Sequence, residues 1–536
     1  MQDPLRWWQG CSIYQIYPRS YKDTTGDGVG DLQGIIEKLD YIKSLGVDAI
    51  WVCPFYESPM VDFGYDVSDY RKVDPVFGTN QHLKELVSKA HKLGLKVIVD
   101  LVMSHTSEKH RWFEESVRDP NGPYGDYYVW VEGKEGTLPN NWLSVFGGPA
   151  WSWSPERGAY YFHNFLKQQP DLNLYNEKVK EELFEIVKFW IGFGVDGFRL
   201  DACNCYFHDT SLLDNPVSPK QNSKVQDEAN PYFQLVHIYD KSQPANVEFL
   251  KELRSLVDNY DDKFLIGEIF CDREEETTRL YSANSEPLHS AYNFSLLQND
   301  REVDTIRNAV TKYHTISKST AWSLSNHDVE RVVSRWHDSL SLQNRAKGYL
   351  TILAGMPGII IVYQGEELGL PEAILRGKES LDPFGNNIDS PYPGRDGCRT
   401  PMPWTEDLKG FTDGEPWLPV PQEHMDNCVS LQESDESSSL NHFKALMKFR
   451  NDTEVFKEGS IQFWQDDLEL IAFSRFTEKE AFLVLSSFTN RKLEMKNVHA
   501  ESIVAEVSFG IHLDNENGEE RIALEAGAFG VIKLRS

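Results

Sequence analysis

The stretch Gly192-Phe-Gly-Val-Asp-Gly-Phe-Arg-Leu-Asp-Ala-Cys203 links a helix to a short buried strand. Gly194 is placed to end the helix in a left-handed conformation, and residues 195–200 have the composition of a strand. Arg199 and Asp201 lie two residues apart at the end of that strand, so their side chains point to the same face. A neighbouring cation lowers the pKa of a carboxyl group and keeps it ionised. The pattern predicts either a nucleophilic carboxylate or a structural ion pair.

The same unit of helix, glycine and apolar strand recurs at Leu45-Gly46-Val47, Leu93-Gly94-Leu95 and Phe193-Gly194-Val195. Alternating helices and strands favour parallel pairing, and eight such units predict an α/β fold with a closed (β/α)8 TIM barrel. A doubly wound open sheet is the alternative, although no dinucleotide-type glycine turn follows the first strand. The clearest predicted helices are 32–45, 179–193 and one that Asn80 caps and that runs to residue 93. The predicted strands are 11–17, 47–54, 95–102, 195–200, 264–270, 291–296, 320–325 and 359–363.

Two long segments interrupt this alternation. Residues 105–173 follow the third strand and are rich in Trp, Tyr, Gly and Pro, which is typical of a lid or a small inserted domain. Residues 366–403 form a second Gly- and Pro-rich excursion after the eighth strand. Near the C-terminus the pattern changes to alternating strands. We predict a barrel of residues 1–104 and 174–455, an inserted domain of residues 105–173 and a C-terminal β-sandwich of residues 456–536.

Composition excludes several classes of function. The net charge of −29 argues against nucleic acid, because phosphate binding needs basic patches. The seven cysteines are scattered and form no Cys-x-x-Cys pair, which indicates reduced thiols. The first residues lack an apolar signal region, and no apolar run of membrane-spanning length occurs. We therefore expect a cytoplasmic protein that binds neither nucleic acid nor a membrane.

Acidic residues follow several predicted strands, at the end of a barrel where active sites form. Acids flanked by His and Arg suit glycoside cleavage, in which one carboxylate attacks the anomeric carbon and another protonates the leaving oxygen. A divalent-metal hydrolase is the alternative, but His-x-His and His-Glu-x-x-His motifs are absent from the sequence. The converging residues are Asp100, His105, Asp201, Glu268, His327 and Asp328.

These motifs carry a family resemblance. Asp100-Leu-Val-Met-Ser-His105, Gly197-Phe-Arg-Leu-Asp201, Gly267-Glu268 and Ser325-Asn-His-Asp328 resemble the four main signature regions of glycoside hydrolase family thirteen, the α-amylase superfamily. Gln169-Pro-Asp-Leu-Asn173 resembles the signature of its oligo-1,6-glucosidase and α-glucosidase subgroup. The stretches 8–35 and 399–404 are also similar to that subgroup, so the resemblance covers nearly the whole chain.

The resemblance implies an α-retaining double displacement with Asp201 as nucleophile, Glu268 as acid/base and Asp328 as the group that holds the O2 and O3 hydroxyls. Asp62 and Arg399 match a pair that closes the pocket around the non-reducing glucose in exo-acting relatives. Asp100 is expected to be structural and to pair near Arg199, which would position Asp201. The other substrate-binding positions implied are Tyr65, His105, Phe165, Gln169, Arg199, Ala202 and His327. Residues 105–173 would be domain B and the tail domain C.

The residue at position 202 indicates which glycosidic linkage the enzyme prefers. In relatives that prefer α-1,6 bonds this position is usually Val, whereas those that prefer α-1,4 bonds have Thr or Ala. We therefore expect an exo-acting α-glucosidase that hydrolyses maltose and short malto-oligosaccharides, accepts sucrose as a further candidate substrate and transfers glucose to sugar or alcohol acceptors. The alternatives are an oligo-1,6-glucosidase, a sucrose-acting glucosyltransferase or a trehalose-forming isomerase of the same family. A non-catalytic transporter heavy chain is disfavoured, because the membrane anchor is missing and every acid is present.

An acidic loop near the N-terminus has the spacing of a calcium-binding turn. Gly28 lies at loop position 6, as in an EF-hand, but position 12 is Gly34 instead of the closing Glu. The loop predicts a structural Ca²⁺ or Mg²⁺ ion, with an acidic glycine-rich turn as the alternative, and we expect no organic cofactor. Relatives of the subgroup bind a divalent ion here, usually with Asn where this chain has Thr25. The candidate ligands are Asp23, Thr25, Asp27, Val29 and Asp31.

Overall fold

The computed structural model describes residues 6–219, 230–298, 303–336, 339–375, 379–387, 394–464, 469–516 and 519–535. The strands are β1 Ser12–Ile16, β2 Ala49–Val52, β3 Tyr56–Glu57, β4 Asp69–Val73, β5 Lys96–Leu101, β6 Trp130–Glu132, β7 Trp151–Ser154, β8 Ala159–Phe162, β9 Gly197–Leu200, β10 Phe264–Ile269, β11 Ser290–Asn293, β12 Ala321–Ser323, β13 Ile359–Tyr363, β14 Ser460–Phe463, β15 Leu470–Phe476, β16 Ala481–Ser487, β17 Leu493–Lys496, β18 Ala500–Ile503, β19 Phe509–Glu516 and β20 Glu519–Leu534.

The α-helices are α1 Leu32–Glu37, α2 Leu39–Ser44, α3 Asn80–Lys92, α4 Arg111–Arg118, α5 Glu177–Gly192, α6 Pro244–Val257, α7 Glu274–Ser282, α8 Ser295–Gln298, α9 Val303–Ile316, α10 Val332–Arg335, α11 Leu342–Gly355, α12 Pro383–Asn387, α13 Gln422–Met425, α14 Val429–Ser434, α15 Ser439–Asp452 and α16 Glu454–Glu458.

Eight parallel strands close into a barrel in the order β1-β13-β12-β11-β10-β9-β5-β2. Closure is visible at Ile13 of β1, which pairs with Ala49 of β2 on one side and with Ile361 of β13 on the other. Their side chains are buried in one apolar cluster at the centre of the barrel, as a filled barrel core requires. The predicted TIM barrel is confirmed, and the open sheet is excluded.

The glycine between α5 and β9 takes the predicted left-handed conformation, with φ +93° at Gly194. Gly197 begins β9, where a Cβ atom would lie 2.6 Å from the carbonyl oxygen of Phe264 on the neighbouring strand. Only glycine fits such a close backbone approach. These two glycines therefore fix the direction of β9 and bring Arg199 and Asp201 to the carboxyl end of the barrel.

Three local predictions were wrong. The predicted helix 32–45 is broken at Lys38, which separates α1 from α2 with φ −102° and ψ 7°. Thr79, not Asn80, caps α3, because the side chain of Asn80 is bonded instead to Val73 N and Arg71 O. The predicted strand 291–296 ends at Asn293 and is followed by α8.

A three-stranded antiparallel sheet, in the order β6-β8-β7, is inserted between β5 and β9. Its own apolar cluster contains Trp142, Trp151 and Phe162. An isolated bridge pairs His105 with Asp171 and thereby ties the start of the insertion to its end. The insertion after the third barrel strand is confirmed, and it places aromatic side chains above the barrel mouth.

The C-terminal strands β14 to β20 form one antiparallel sheet system on the far side of α11 and α15. Two buried arginines lie where this sheet system meets the barrel, and one of them, Arg475, belongs to the sheet. Arg450 of α15 donates to the carbonyl oxygens of Ala354 and Gly358 at 2.7 Å each. Arg475 of β15 donates to those of Gly355 and Val455 at 2.7 and 2.8 Å. The guanidinium groups satisfy carbonyl groups at the end of α11.

All seven cysteines are free thiols, as predicted. In the part of the chain that the structure describes, no helix combines the length and the apolar character needed to cross a bilayer.

Candidate active site

A cavity of about 210 Å³ opens at the carboxyl end of the barrel, beneath the inserted sheet. Arg199, His327 and Arg399 lie directly behind its lining and contact lining residues. The structure therefore brings together all twelve residues that the sequence singled out for substrate binding and catalysis. Those that line the cavity are Asp62, Tyr65, His105, Phe165, Gln169, Asp201, Ala202, Glu268 and Asp328.

Arg199 links the carboxylates at the floor of the cavity. Its Nη1 lies 2.7 Å from Asp201 Oδ1 and 2.6 Å from Asp100 Oδ1, and its Nη2 contacts Glu268 Oε1. Asp100 is fully buried and also accepts a hydrogen bond from Trp51 Nε1 at 2.8 Å. Asp100 is thus a partner of Arg199, as predicted, while Asp201 and Glu268 face the cavity.

Both cavity-facing carboxyl groups titrate near neutral pH. Burial raises the pKa of Asp201 to about 7, and the charge of Arg199 opposes this shift. Burial likewise raises the pKa of Glu268 to about 7, again against Arg199. The predicted lowering of the Asp201 pKa by Arg199 is present but is outweighed by loss of water. Two carboxyl groups with raised pKa values can supply one acid and one carboxylate near neutral pH, which is what double displacement needs.

Ala202 turns the backbone directly after Asp201. It has φ +38° and ψ +46°, a left-handed conformation that costs a non-glycine residue about 1–2 kcal/mol. Its N–H donates to Glu268 Oε2 at 3.0 Å. The strained turn therefore ties the residue next to the candidate nucleophile to the candidate acid/base.

Asp328 faces the cavity with 24% of its side chain exposed. Arg399 Nη2 and Arg395 Nη1 lie 2.9 and 3.0 Å from its Oδ1. Burial raises its pKa, but the surrounding positive charges outweigh burial and hold the pKa well below its usual range. Asp328 is therefore ionised throughout the neutral range and is suited to accept hydrogen bonds from sugar hydroxyls.

His327 is neutral, because burial lowers its pKa to about 3. Gln15 Nε2 lies 2.8 Å from its Nδ1, and Tyr65 Oη lies 2.7 Å from its Nε2. With Gln15 donating, Nδ1 accepts and the proton sits on Nε2, which faces Tyr65 and Asp328. The rings of Tyr65 and His327 stack with centroids 5.3 Å apart. Gln15 was missed by sequence reasoning and fixes this tautomer from β1.

His105 is also neutral, because burial lowers its pKa to about 4. Its Nδ1 lies 2.8 Å from Ser104 Oγ, and its Nε2 lies 2.9 Å from the carbonyl oxygen of Tyr65. The ring of Phe165 packs against it at 5.2 Å. Gln169 lies 3.2 Å from the same Nε2. The imidazole is held rigidly in the cavity wall, and its bonding of glucose stays a prediction.

Asp62 forms an ion pair with Arg395, a residue that was not predicted, and closure of the pocket around glucose by Asp62 and Arg399 stays a prediction. Arg395 Nη2 lies 2.8 Å from Asp62 Oδ1 and 2.7 Å from Asp382 Oδ1. Arg399 is directed instead to Asp328 and to the carbonyl oxygen of His327. A short 3₁₀ turn, Asp396–Cys398, separates the two arginines and sends both toward the same acids.

Besides the predicted Tyr65 and Phe165, further aromatic side chains line the cavity, and these were not predicted. Phe146 and Phe384 flank the guanidinium of Arg395, 5.0 and 5.9 Å from its central carbon. On the side next to Glu268 lies a second apolar group, which we name the aromatic wall. The rings of Phe270 and Phe294 within it are 5.4 Å apart. The aromatic wall consists of Phe233, Phe270, Phe294 and Leu297.

The acidic N-terminal loop is bonded to itself. Asp23 accepts hydrogen bonds from the backbone N–H groups of Thr25, Gly26 and Gly28 at 2.7 to 2.9 Å. Asp31 accepts from Thr24 N and caps α1. Nowhere in the described part of the chain do three His, Cys, Asp or Glu side chains gather as metal ligands. The Ca²⁺ or Mg²⁺ ion, with Thr25 and the Val29 carbonyl group among its candidate ligands, stays a prediction.

Comparisons with known proteins agree with this geometry. A family model described as "Alpha amylase, catalytic domain" matches residues 15–459. The chain is 44% identical over 506 residues to a probable alpha-glucosidase of Rhizobium meliloti (strain 1021), covering 92% of each chain. It is 35% identical over 526 residues to an oligo-1,6-glucosidase of Heyndrickxia coagulans, covering 90% of this chain and 92% of the relative. The crystal structure of the alpha-glucosyl transfer enzyme XgtA superimposes with a TM-score of 0.95 at 43% identity, covering 99% of this chain and 100% of that one.

Proposed function

This chain belongs to the α-amylase family of glycoside hydrolases, and from that premise we propose that it is an exo-acting α-glucosidase that releases α-glucose from maltose and short malto-oligosaccharides. The single observation that carries the proposal is the bridge from Arg199 to Asp201 and Glu268 at the floor of a closed pocket. Members of the family retain the anomeric configuration, and a nucleophile with a neighbouring acid/base is the arrangement this outcome requires.

In the proposed first step, Asp201 attacks the anomeric carbon of the terminal glucose while Glu268 donates its proton to the glycosidic oxygen. The bond to the leaving sugar breaks, and a β-glucosyl ester forms on Asp201. In the second step, Glu268 takes a proton from water, whose oxygen attacks the same carbon and releases Asp201. Asp328 stays ionised and binds the glucose hydroxyls, so that it offsets the positive charge that develops on the ring.

The contact between Asp62 and Arg395 supports the proposed exo action. The pair joins the loop after β2 to the long segment after β13, with Phe146 and Phe384 packed against the guanidinium. This arrangement supports a pocket that holds one terminal glucose, whereas an endo-acting enzyme needs a cleft open at both ends. The proposed substrates are therefore small α-glucosides.

Transglucosylation is the proposed second outcome, in which a sugar or alcohol hydroxyl replaces water in the second step. The aromatic wall beside Glu268 supports it, because an apolar surface favours the faces of sugar rings and disfavours free water. Similarity to an alpha-glucosyl transfer enzyme supports it as well. An oligo-1,6-glucosidase is the alternative that the similarity to the Heyndrickxia coagulans enzyme favours. Sucrose remains a candidate substrate, and a sucrose-acting transferase remains a further alternative.

The proposal is tested by measuring kcat/KM for maltose, isomaltose and sucrose and by following the first product with NMR. We expect maltose to be the best of the three, with α-glucose as the first anomer. A higher value for isomaltose would replace the proposal with the oligo-1,6-glucosidase, and β-glucose as first product would refute the retaining mechanism. Fractionation of the source cells tests the proposed cytoplasmic location.

A further inference from the structure

Glu274 lies outside the cavity but contacts the backbone that carries part of its wall. It belongs to the first turn of α7, six residues after Glu268, and it does not line the cavity. Its Oε1 accepts a hydrogen bond from the backbone N–H of Phe294 at 2.8 Å. Its Oε2 accepts from Ser295 Oγ at 2.9 Å and from Tyr313 Oη at 3.1 Å. One carboxylate thus joins α7, the turn after β11 and α9.

All three partners of Glu274 are donors, which is the environment of an ionised carboxylate. Burial raises its pKa, and the hydrogen bonds from Ser295, Phe294 and Tyr313 oppose that shift. The backbone N–H of Phe294 precedes α8, so Glu274 satisfies from another helix a donor that would otherwise be unpaired. Removal of the carboxylate would leave these donors without their acceptor, which destabilises the local backbone.

The turn that Glu274 holds carries half of the aromatic wall. Phe294 and Leu297 line the cavity, and the Phe294 ring packs edge-on against Phe270 at 5.4 Å. The glucose-binding side, with Asp62 and Asp328, is held by separate ion pairs to Arg395 and Arg399. A change at Glu274 therefore reaches the wall without passing through the contacts of the glucose side.

We propose that Glu274 is a positioning residue that sets the aglycone side of the site by fixing Phe294 and Leu297, and that it thereby determines the affinity for the leaving sugar and the competition between acceptor and water. This inference rests on the proposed α-glucosidase function, because the aromatic wall is assigned to the aglycone through it. Glu274 acts through the wall and does not touch the reacting atoms.

The test compares Glu274→Ala and Glu274→Gln with the matched control Glu275→Ala. Glu275 is the next residue on α7, but its carboxylate is exposed and paired with Arg279 and Lys312 on the surface. Gln can still accept from Phe294 N, and its amide can donate to the two hydroxyl groups after they rotate, so Glu274→Gln should retain most of the wild-type behaviour. Glu275→Ala should match the wild type.

For Glu274→Ala we expect the KM for maltose to rise at least threefold and the ratio of transfer to hydrolysis at high maltose to fall at least threefold. The inhibition constant of deoxynojirimycin, which occupies only the glucose side, should change less than twofold. A KM and a transfer ratio within 1.5-fold of wild type would overturn the positioning role. An inhibition constant that rises by the same factor as KM would also overturn the positioning role, because that result would indicate a loss of structure throughout the active site.

A second variant covers the case in which Glu274→Ala does not fold. Tyr313→Phe removes one donor to the carboxylate from a helix remote from the cavity, and it should move KM and the transfer ratio in the same direction by a smaller factor. No change in either quantity would overturn the proposal. A wild-type enzyme that cleaves neither maltose nor 4-nitrophenyl α-glucoside would refute the proposed function and the positioning role together, whereas an active wild type with unaltered variants refutes the positioning role alone.

Discussion

Arg395 Nη2 lies 2.8 Å from Asp62 Oδ1, and this ion pair lies on the side of the cavity that is proposed to bind the terminal glucose. Arg395 is buried and is also held by Asp382, so the pair is not a mobile surface contact. Burial raises the pKa of Asp62, and Arg395 opposes that shift. The closed end of the pocket thus depends on one arginine that three carboxylates share, Asp328 being the third.

Arg395→Ala should lower kcat/KM for maltose by roughly 10²-fold, because truncating one partner of a buried charge pair costs about 2–5 kcal/mol. The loss should be smaller for longer malto-oligosaccharides, since opening the closed end admits a second glucose. Steady-state kinetics on maltose and maltotetraose measure this, with the exposed Arg118→Ala as control. An equal loss on both substrates would contradict the role of the pair in exo action.

Asp201→Asn should abolish nearly all turnover while leaving the fold intact, because an amide cannot form the glucosyl ester. The thermal midpoint and the circular dichroism spectrum report on the fold, and hydrolysis of maltose reports on turnover. Activity above a tenth of the wild-type value in this variant would exclude Asp201 as nucleophile.

Glu268→Gln should change the pH profile and the dependence on the leaving group. In the wild type, kcat/KM should decrease as the pH drops below about 7, because Asp201 becomes protonated. It should also decrease as the pH rises above about 7, because Glu268 loses its proton, so the pH profile is bell-shaped. The variant should lose the basic limb. Its kcat/KM should decrease about 10²–10⁴-fold on maltose. The decrease should be much smaller on 4-nitrophenyl α-glucoside, because its leaving group needs little protonation. Equal losses on the two substrates, or an unchanged basic limb, would argue against Glu268 as acid/base.

If the loop of Asp23, Asp27 and Asp31 binds a structural ion, chelation should lower the thermal midpoint without abolishing turnover at low temperature, because only the folded state binds the ion. Differential scanning calorimetry with and without chelator, together with metal analysis of the purified protein, measures this. A midpoint that chelation leaves unchanged and a protein without bound metal would dispose of the ion. The hydrogen bonds within the loop would then be sufficient to explain its conformation.

Ala202→Val should shift the ratio of kcat/KM for maltose and isomaltose toward isomaltose, since a methyl or two in a binding wall is worth about 1–3 kcal/mol. The left-handed conformation at Ala202 adds a cost that the sequence did not reveal, because a β-branched side chain is strained there. The variant should therefore also have a lower thermal midpoint. A ratio that stays constant would show that this position does not select linkage.

The sequence predicted the barrel and the catalytic acids because both follow local rules. Glycine separates a helix from an apolar strand at three places, and the acids lie within or shortly after barrel strands, so position in the chain indicates position in the fold. Arg395 and the aromatic wall lie on long loops, where contacts between distant segments decide which side chain reaches the cavity. Sequence spacing carries little information about such contacts, and the contact between Arg395 and Asp62 was therefore not predicted.

Electrostatics was predicted only in part. The contact between Arg199 and Asp201 could be read from their spacing on one strand, but the depth of the site could not. Burial outweighs the arginine and raises the pKa of Asp201. The break between α1 and α2 at Lys38 was not predicted either, because the apolar periodicity continues through it.

The arginines at the base of the barrel determine where the chain can be divided. A protein truncated after residue 455 would lose Arg475, and the carbonyl group of Gly355 would have to find a new donor. Arg450 would remain, but it is already committed to Ala354 and Gly358. The C-terminal sheet is therefore a co-folding part of the catalytic body, and not a module that can be exchanged freely between relatives.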